Sequence, residues 1–159
     1  MRVIEQGRAL LDRVVEAGHA SDPSLAQHVL RVVLGGALFV AGVAHLTWGR
    51  TEFQGQVPDW FPGDPDVVVL ASGVAEIALG SALVFLVRHC VVVGLLSAAF
   101  FVAIFPGNIA QYVEGKDAFG LDTDRERFTR LFFQPVLVAV ALWSTGAWAG
   151  LRSLRPDDR

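Results

Sequence analysis

The chain has 159 residues and a mass of 17.2 kDa, and 16 acidic against 13 basic side chains leave a formal net charge of −3. Hydrophobic residues make up 53% and charged residues 18%, with a mean hydropathy of +0.47, so there is too little polar surface to cover a water-soluble domain of this size. The charge balance and the absence of a basic cluster argue against nucleic acid as a partner, and the single cysteine, Cys90, excludes an internal disulfide or a CxxC redox pair.

Residues 1–22 read as an amphipathic helix. Val3, Gly7, Leu10, Val14 and Gly18 recur at helical spacing with Ile4, Leu11 and Val15 beside them, while Arg2, Glu5, Arg8, Asp12, Arg13 and Glu16 fill much of the other face. The apolar start Val3-Ile4 is cut at once by Glu5-Gln6, so no signal-peptide core forms. Such a helix lies at the membrane surface; docking on the bundle or on a partner is the alternative.

Residues 23–151 form one membrane domain. A hydrocarbon core of about 30 Å needs about 20 mostly apolar residues, and four runs qualify: residues 28–48, 66–87, 90–112 and 131–151. Asp22-Pro23 and Asp64-Pro65 are helix-start signals ahead of the first two, and Arg31 is early enough in its span to snorkel outward. The fold class is therefore an all-α membrane protein, a four-helix transmembrane bundle with an N-terminal amphipathic helix. Residues 152–159 are a polar tail that includes Asp157-Asp158.

The Arg88-His89 link is a tight reversal, whereas 49–65 and 113–130 are long, so both long loops emerge on one side. Eight arginines on the terminal side against five basic residues on the loop side favour cytoplasmic termini. Arginine outnumbers lysine twelve to one, which with abundant Val and Ala suggests a GC-rich bacterial genome and a plasma (inner) membrane location.

Four polar side chains, His45, Glu76, Asn108 and Gln134, interrupt otherwise apolar spans in the same half of the bilayer. The helix rise puts His45, Asn108 and Gln134 about 5–6 Å inside the loop-side boundary and Glu76 about 15 Å down. This predicts a cavity with the first three at its mouth and Glu76 at its floor. Small residues share their faces, as with Gly35, Gly42 and His45, or Ser72, Glu76 and Gly80, so the polar groups point into the bundle. A charge at the bilayer centre costs about 2.5–3.5 kcal/mol, and His45 is the only intramembrane cation close to Glu76. The functional reading is a proton-handling or ligand-binding pair, with Ser72, Asn108 and Gln134 as ligand-binding or bundle-polar groups. The competing reading is polar glue, the four groups bonding one another to hold register. Pro106 and Pro135 add freed backbone carbonyls at the same level in either case.

Other chemistry lacks support. His45 has no second histidine at its depth for a haem, no metal-ligand cluster is spelled out, and no HExxH, GxSxG or phosphate-binding glycine loop occurs. Cys90 reads as a small buried thiol at the terminal-side boundary.

The runs GVAHLTWGRTEFQGQVPDWFP, ASGVAEIALGSALVFLVRH, FFVAIFPGNIAQY and RLFFQPVLVAVAL together resemble the DoxX family of bacterial four-span membrane proteins, over about Leu30 to Trp148. The matching positions are His45, the loop Val57-Pro58 to Pro62, then Ser72, Gly73 and Glu76, then Pro106 and Asn108, and finally Gln134-Pro135. The resemblance implies association with thiosulfate:quinone oxidoreductase or with complexes that connect redox enzymes; distant relatives act as chaperones. The related MauE branch has a cysteine pair that this chain lacks.

The expected function is a subunit of a redox-linked membrane complex, at most a non-autonomous oxidoreductase subunit, with a loop-side pocket for a quinone-like or other small hydrophobic ligand. Glu76 and His45 would be its proton-handling pair. The bilayer, redox-enzyme partner proteins and that ligand are the expected partners, and any electron carrier comes from a partner. The alternative is a non-catalytic scaffold or chaperone.

Overall fold

The structure, a computed structural model, describes residues 2–20 and 22–155. Asp157, Asp158 and Arg159 of the expected tail lie outside them. Among the described residues all regular structure is helical: α1 (Arg2–His19), α2 (Leu25–Leu46), α3 (Arg50–Gln54), α4 (Pro65–Phe85), α5 (Cys90–Val113), α6 (Asp124–Leu131), α7 (Phe133–Ser144) and α8 (Ala147–Arg152).

Three of these are long and apolar enough to cross a membrane: α2, α4, and α5 with the 3-10 turn Val87–His89 that leads into it. The cap of α2 is Ser24, two residues after the expected Asp22. Ser24 Oγ accepts from the Gln27 amide and Gln27 Oε1 accepts from the Ser24 amide, so two orphan donors of the first turn are satisfied reciprocally. For α4, Asp64 accepts from the Asp66 amide at 2.8 Å and Pro65 occupies the first turn, where its missing N–H costs nothing.

The fourth expected span, residues 131–151, is not one helix. At 12 residues, α7 covers only about 18 Å. It stops at Thr145 because Gly146 turns into the left-handed region at φ +78°, and α8 restarts beyond it. Apolar composition runs through this break and so conceals it.

Helix α2 packs on α4 and α7, and α5 packs on α4 and α7. The α2–α4 contact is the most extensive. A Cβ on Gly35 would lie 2.8 Å from the Gly80 carbonyl oxygen, and one on Gly42 would lie 2.5 Å from that of Gly73. Seven residues separate the two glycines on each antiparallel helix, so the backbones touch twice along one seam. Leu34, Leu38, Leu83, Val93, Phe101 and Ala141 fill the centre between the helices.

Arg31 does not snorkel. It is buried, and its guanidinium donates to the carbonyl oxygens of Leu83 and Val84, which the end of α4 leaves without helical partners. Helix α1 docks against α8 and the start of α5, the alternative to a free surface helix. Val14 is 4% exposed and clusters with Val91 and Ala147, whereas Val3 and Ile4 stay open.

The two long loops are knit together on the other side. Lys116 Nζ lies 2.7 Å from both Asp59 and Glu114 and donates to the Val57 carbonyl. Buried Gln111 donates to the carbonyls of Lys116 and Ala118 and accepts from Gln56. The 49–65 segment also rests on α5, where only a glycine fits: a Cβ on Gly107 would meet the Gln56 carbonyl oxygen at 2.5 Å.

Candidate functional site: a loop-side cavity walled by His45 and Glu76

Beneath these loops lies a cavity of about 420 Å³. Leu34, Leu38, Phe101, Ile104 and Leu137 form apolar walls, and Pro58, Trp60 and Phe61 come from the loop. Its polar lining is His45, Gln56, Ser72, Glu76, Asn108, Arg130 and Gln134. All five residues expected at the site therefore border one space.

The glycine seam determines how His45 meets Glu76. With Gly42 opposite Gly73 and Gly35 opposite Gly80, the Cα of Glu76 sits about 9 Å deeper than that of His45. Helical side chains lean toward the N-terminus of their own helix. In an antiparallel pair, His45 leans inward and Glu76 leans outward. They close the gap to 3.0 Å between Nδ1 and Oε2, with both residues buried at 6% and 5% exposure. The expected mouth and floor thus become one polar patch on the wall. Gly73 permits this, since a Cβ there would lie 2.7 Å from that of His45.

The proton arrangement follows from partner chemistry. His45 Nδ1 is 2.8 Å from the Ala41 carbonyl oxygen, which can only accept, so Nδ1 carries the hydrogen. That hydrogen is committed to Ala41, and among the described residues buried Glu76 Oε2 has no hydrogen bond of its own. One face of the imidazole stacks on Phe53 at 3.4 Å between centroids and 19° between planes. Phe53 meets Phe119 edge-on at 4.7 Å, and Arg130 Cζ lies 4.8 Å over the Phe119 ring.

Asn108 and Gln134 form a separate pair. Asn108 Nδ2 donates to Gln134 Oε1 at 2.9 Å, and Gln134 Nε2 donates to the Phe101 carbonyl at 2.6 Å, five residues before Pro106. Ser72 Oγ donates within its own helix to Val69. Among the described residues no hydrogen bond links the two pairs, so the four groups do not form one connected network. Pro135 falls in the first turn of α7, where no helical carbonyl is freed by it, unlike Pro106 inside α5.

Sequence reasoning missed Arg130 and Phe119. Phe119 has φ +58°, a left-handed conformation that non-glycine residues rarely adopt, and its amide donates to Glu52 Oε2 at 2.7 Å. Neither feature leaves a periodic trace.

On the terminal side, a cavity of about 60 Å³ is lined by His19, His28, Arg31, Cys90 and Ser144. Cys90 is half-buried, with Sγ donating to the Thr145 carbonyl at 3.5 Å and 4.0 Å from His19 Nε2. Among the described residues no three His, Cys, Asp or Glu side chains converge to hold a metal ion.

The family described as "Domain of unknown function (DUF8561)" matches residues 34–145, and the chain belongs to it. The match takes in most of α2 and all of α3 to α7, and so every residue of the cavity named above. No curated protein and no solved structure matches the chain.

Proposed function

We propose that this member of the family is a DoxX-like integral membrane protein of the bacterial plasma membrane and a non-autonomous subunit of a redox-linked complex. Its loop-side cavity would take a quinone-like or other small hydrophobic ligand. In this reading α7 and α8 together make a fourth crossing beside α2, α4 and α5, both termini are cytoplasmic, and α1 lies along the membrane surface while docked on the bundle.

One observation carries the proposal: the Glu76 carboxyl is buried against His45 on the wall of an apolar cavity, with Oε2 unserved by any hydrogen bond among the described residues. Leaving such an acceptor bare costs about 1–3 kcal/mol, which a structural role alone would not recover. With the Nδ1 hydrogen of His45 committed to Ala41, a donor on a ligand recovers it. Chemistry that couples electrons to protons needs such a group within reach of an apolar cleft.

Purification in mild detergent, followed by mass spectrometry of retained small molecules and proteins, tests this reading. A hydrophobic ligand kept by the wild type and lost in a folded Glu76→Gln variant supports it. Retention of partner proteins alone, equal in both forms, favours a scaffold or chaperone instead.

A further inference from the structure

On the loop side three of the five cations are paired among the described residues. Arg50 bonds Asp66, Lys116 bonds Asp59 and Glu114, and Arg127 bonds Asp117 and Asp124. Arg125 is exposed and met by solvent. Arg130 is half-buried, yet among the described residues its guanidinium has no carboxylate and no hydrogen-bond acceptor. Its only described partner is the Phe119 ring, which leaves five N–H donors without protein acceptors. Burial accordingly pushes the Arg130 guanidinium below its ordinary pKa.

This side chain is also held in place. Phe119 keeps a left-handed backbone under the guanidinium, anchored by the hydrogen bond that its N–H donates to Glu52 Oε2. Strain of this kind persists where surrounding structure enforces it and clusters at ligand sites. Arg130 borders the 420 Å³ cavity and also a second one of about 750 Å³ running past Thr129 and Phe133, with Asn108 and Gln134 shared between them. It stands one helical turn before Gln134, where the apolar walls give way to the polar loops.

We propose that Arg130 is the head-group recognition residue of this cavity and that its ligand is an amphipathic anion, with the apolar chain inside and a carboxylate or phosphate on the guanidinium. A neutral ring would fill the apolar walls but leave the guanidinium unneutralised. An anionic head supplies the missing acceptors in the forked geometry that arginine favours. The inference rests on reading the cavity as a ligand site and narrows the ligand to those carrying negative charge.

The test uses the full chain in phosphatidylcholine nanodiscs doped with dodecanoate or dodecanol, read by native mass spectrometry of retained adducts. Dodecanoate should be retained by the wild type, and its occupancy should fall about tenfold in Arg130→Gln. Arg130→Lys should keep much of it, and Arg88→Gln, which removes a charge on the opposite side, should keep all of it. Dodecanol should be indifferent to Arg130→Gln. A diazirine at the chain end of dodecanoate should label Leu34, Leu38 or Phe101. Equal retention of acid and alcohol in both wild type and Arg130→Gln would overturn the head-group assignment and leave the hydrophobic cavity standing. Inorganic phosphate binding as well as dodecanoate would overturn the requirement for a chain and identify a free-anion site. Label confined to lipid-facing Val102, or retention of neither chain, would remove the cavity reading and this inference with it.

Discussion

Gly73 lies so close to His45 that a Cβ on the glycine would come within 2.7 Å of the histidine Cβ, and Glu76 follows one turn later on the same helix. Helix packing and the polar pair are therefore one structural feature. The backbone approach that the glycine seam allows is also what brings the imidazole to the carboxylate.

Gly73→Ala should accordingly damage both. The added methyl has Gly42 backbone and His45 around it and nowhere to go, and overpacking of this kind costs about 1–3 kcal/mol. Gly36→Ala is the matched control, because a Cβ there meets nothing within 4 Å. Thermal melts in detergent should show a lower midpoint for the first and an unchanged or higher one for the second. Equal behaviour would show that the seam is not tight in the membrane.

At Glu76 the distinction is between charge and shape. Glu76→Gln keeps volume and hydrogen-bonding capacity but cannot titrate, whereas Glu76→Ala strips the carboxyl that faces His45. The expected pattern is a Gln variant that melts like the wild type but retains no ligand, and an Ala variant destabilised by about 1–3 kcal/mol through the packing its buried side chain loses. His45→Gln should lose ligand in the same way. A folded Gln variant with full ligand retention would end the proton-handling role.

The parts of this arrangement that were legible in the sequence are those that depend on run length or helical period. Three long apolar helices follow from composition alone, and the shared faces of Gly42 with His45 and of Ser72 with Glu76 indicate which sides meet. The break at Gly146 was not legible, because a left-handed glycine leaves the apolar run around it unchanged. Arg31 looked like a snorkelling residue because sequence shows its depth but not the orphan carbonyls of Leu83 and Val84 across the seam. Phe119 and Arg130 meet through loop geometry, with Phe119 in a backbone state that no local residue pattern announces.

The start of α6 should be sensitive to acid. The Thr123 hydroxyl, followed by its amide, holds the Glu126 carboxylate below the usual glutamate range. A carboxylate whose folded pKa is depressed adds stability that is fully present above its unfolded value, about 4.3. That contribution is lost as pH falls through the lower folded value. Hydrogen exchange at the first-turn amides of α6, corrected for intrinsic rates, should therefore speed up below about pH 4. Thr123→Ala should weaken the pH dependence, leaving the part that the backbone amide at position 123 supplies, and loosen the turn at neutral pH. Constant protection down to pH 3 would rule out the cap as the cause.

Orientation is open to direct measurement. With Cys90 replaced by serine, single cysteines at Gln56 and Asp122 should react with a membrane-impermeant maleimide added to intact cells, placing both long loops outside. The two sites must behave alike, since Lys116 ties their segments together through Asp59 and Glu114. Labelling of both only after lysis would reverse the orientation and leave the architecture intact. Labelling of one alone would contradict the loop packing.

Helix α1 gives the last prediction, because its two ends face different surroundings. Val14 is 4% exposed against Val91 and Ala147, and Gly150 of α8 passes so close to the Val14 backbone that no side chain fits there. Ile4, on the same helix, is 77% exposed. If α1 is part of the folded unit, Val14→Ala should lower thermal stability by about 1–2 kcal/mol through lost burial and a small cavity. Ile4→Ala should change it by less than about 0.5 kcal/mol in detergent. Deleting residues 2–18 would uncover Val91 and Ala147 and should cost more than Val14→Ala. A truncated chain that melts at the wild-type temperature would mean that α1 merely rests on α8, held by the membrane surface or a partner instead of by the bundle.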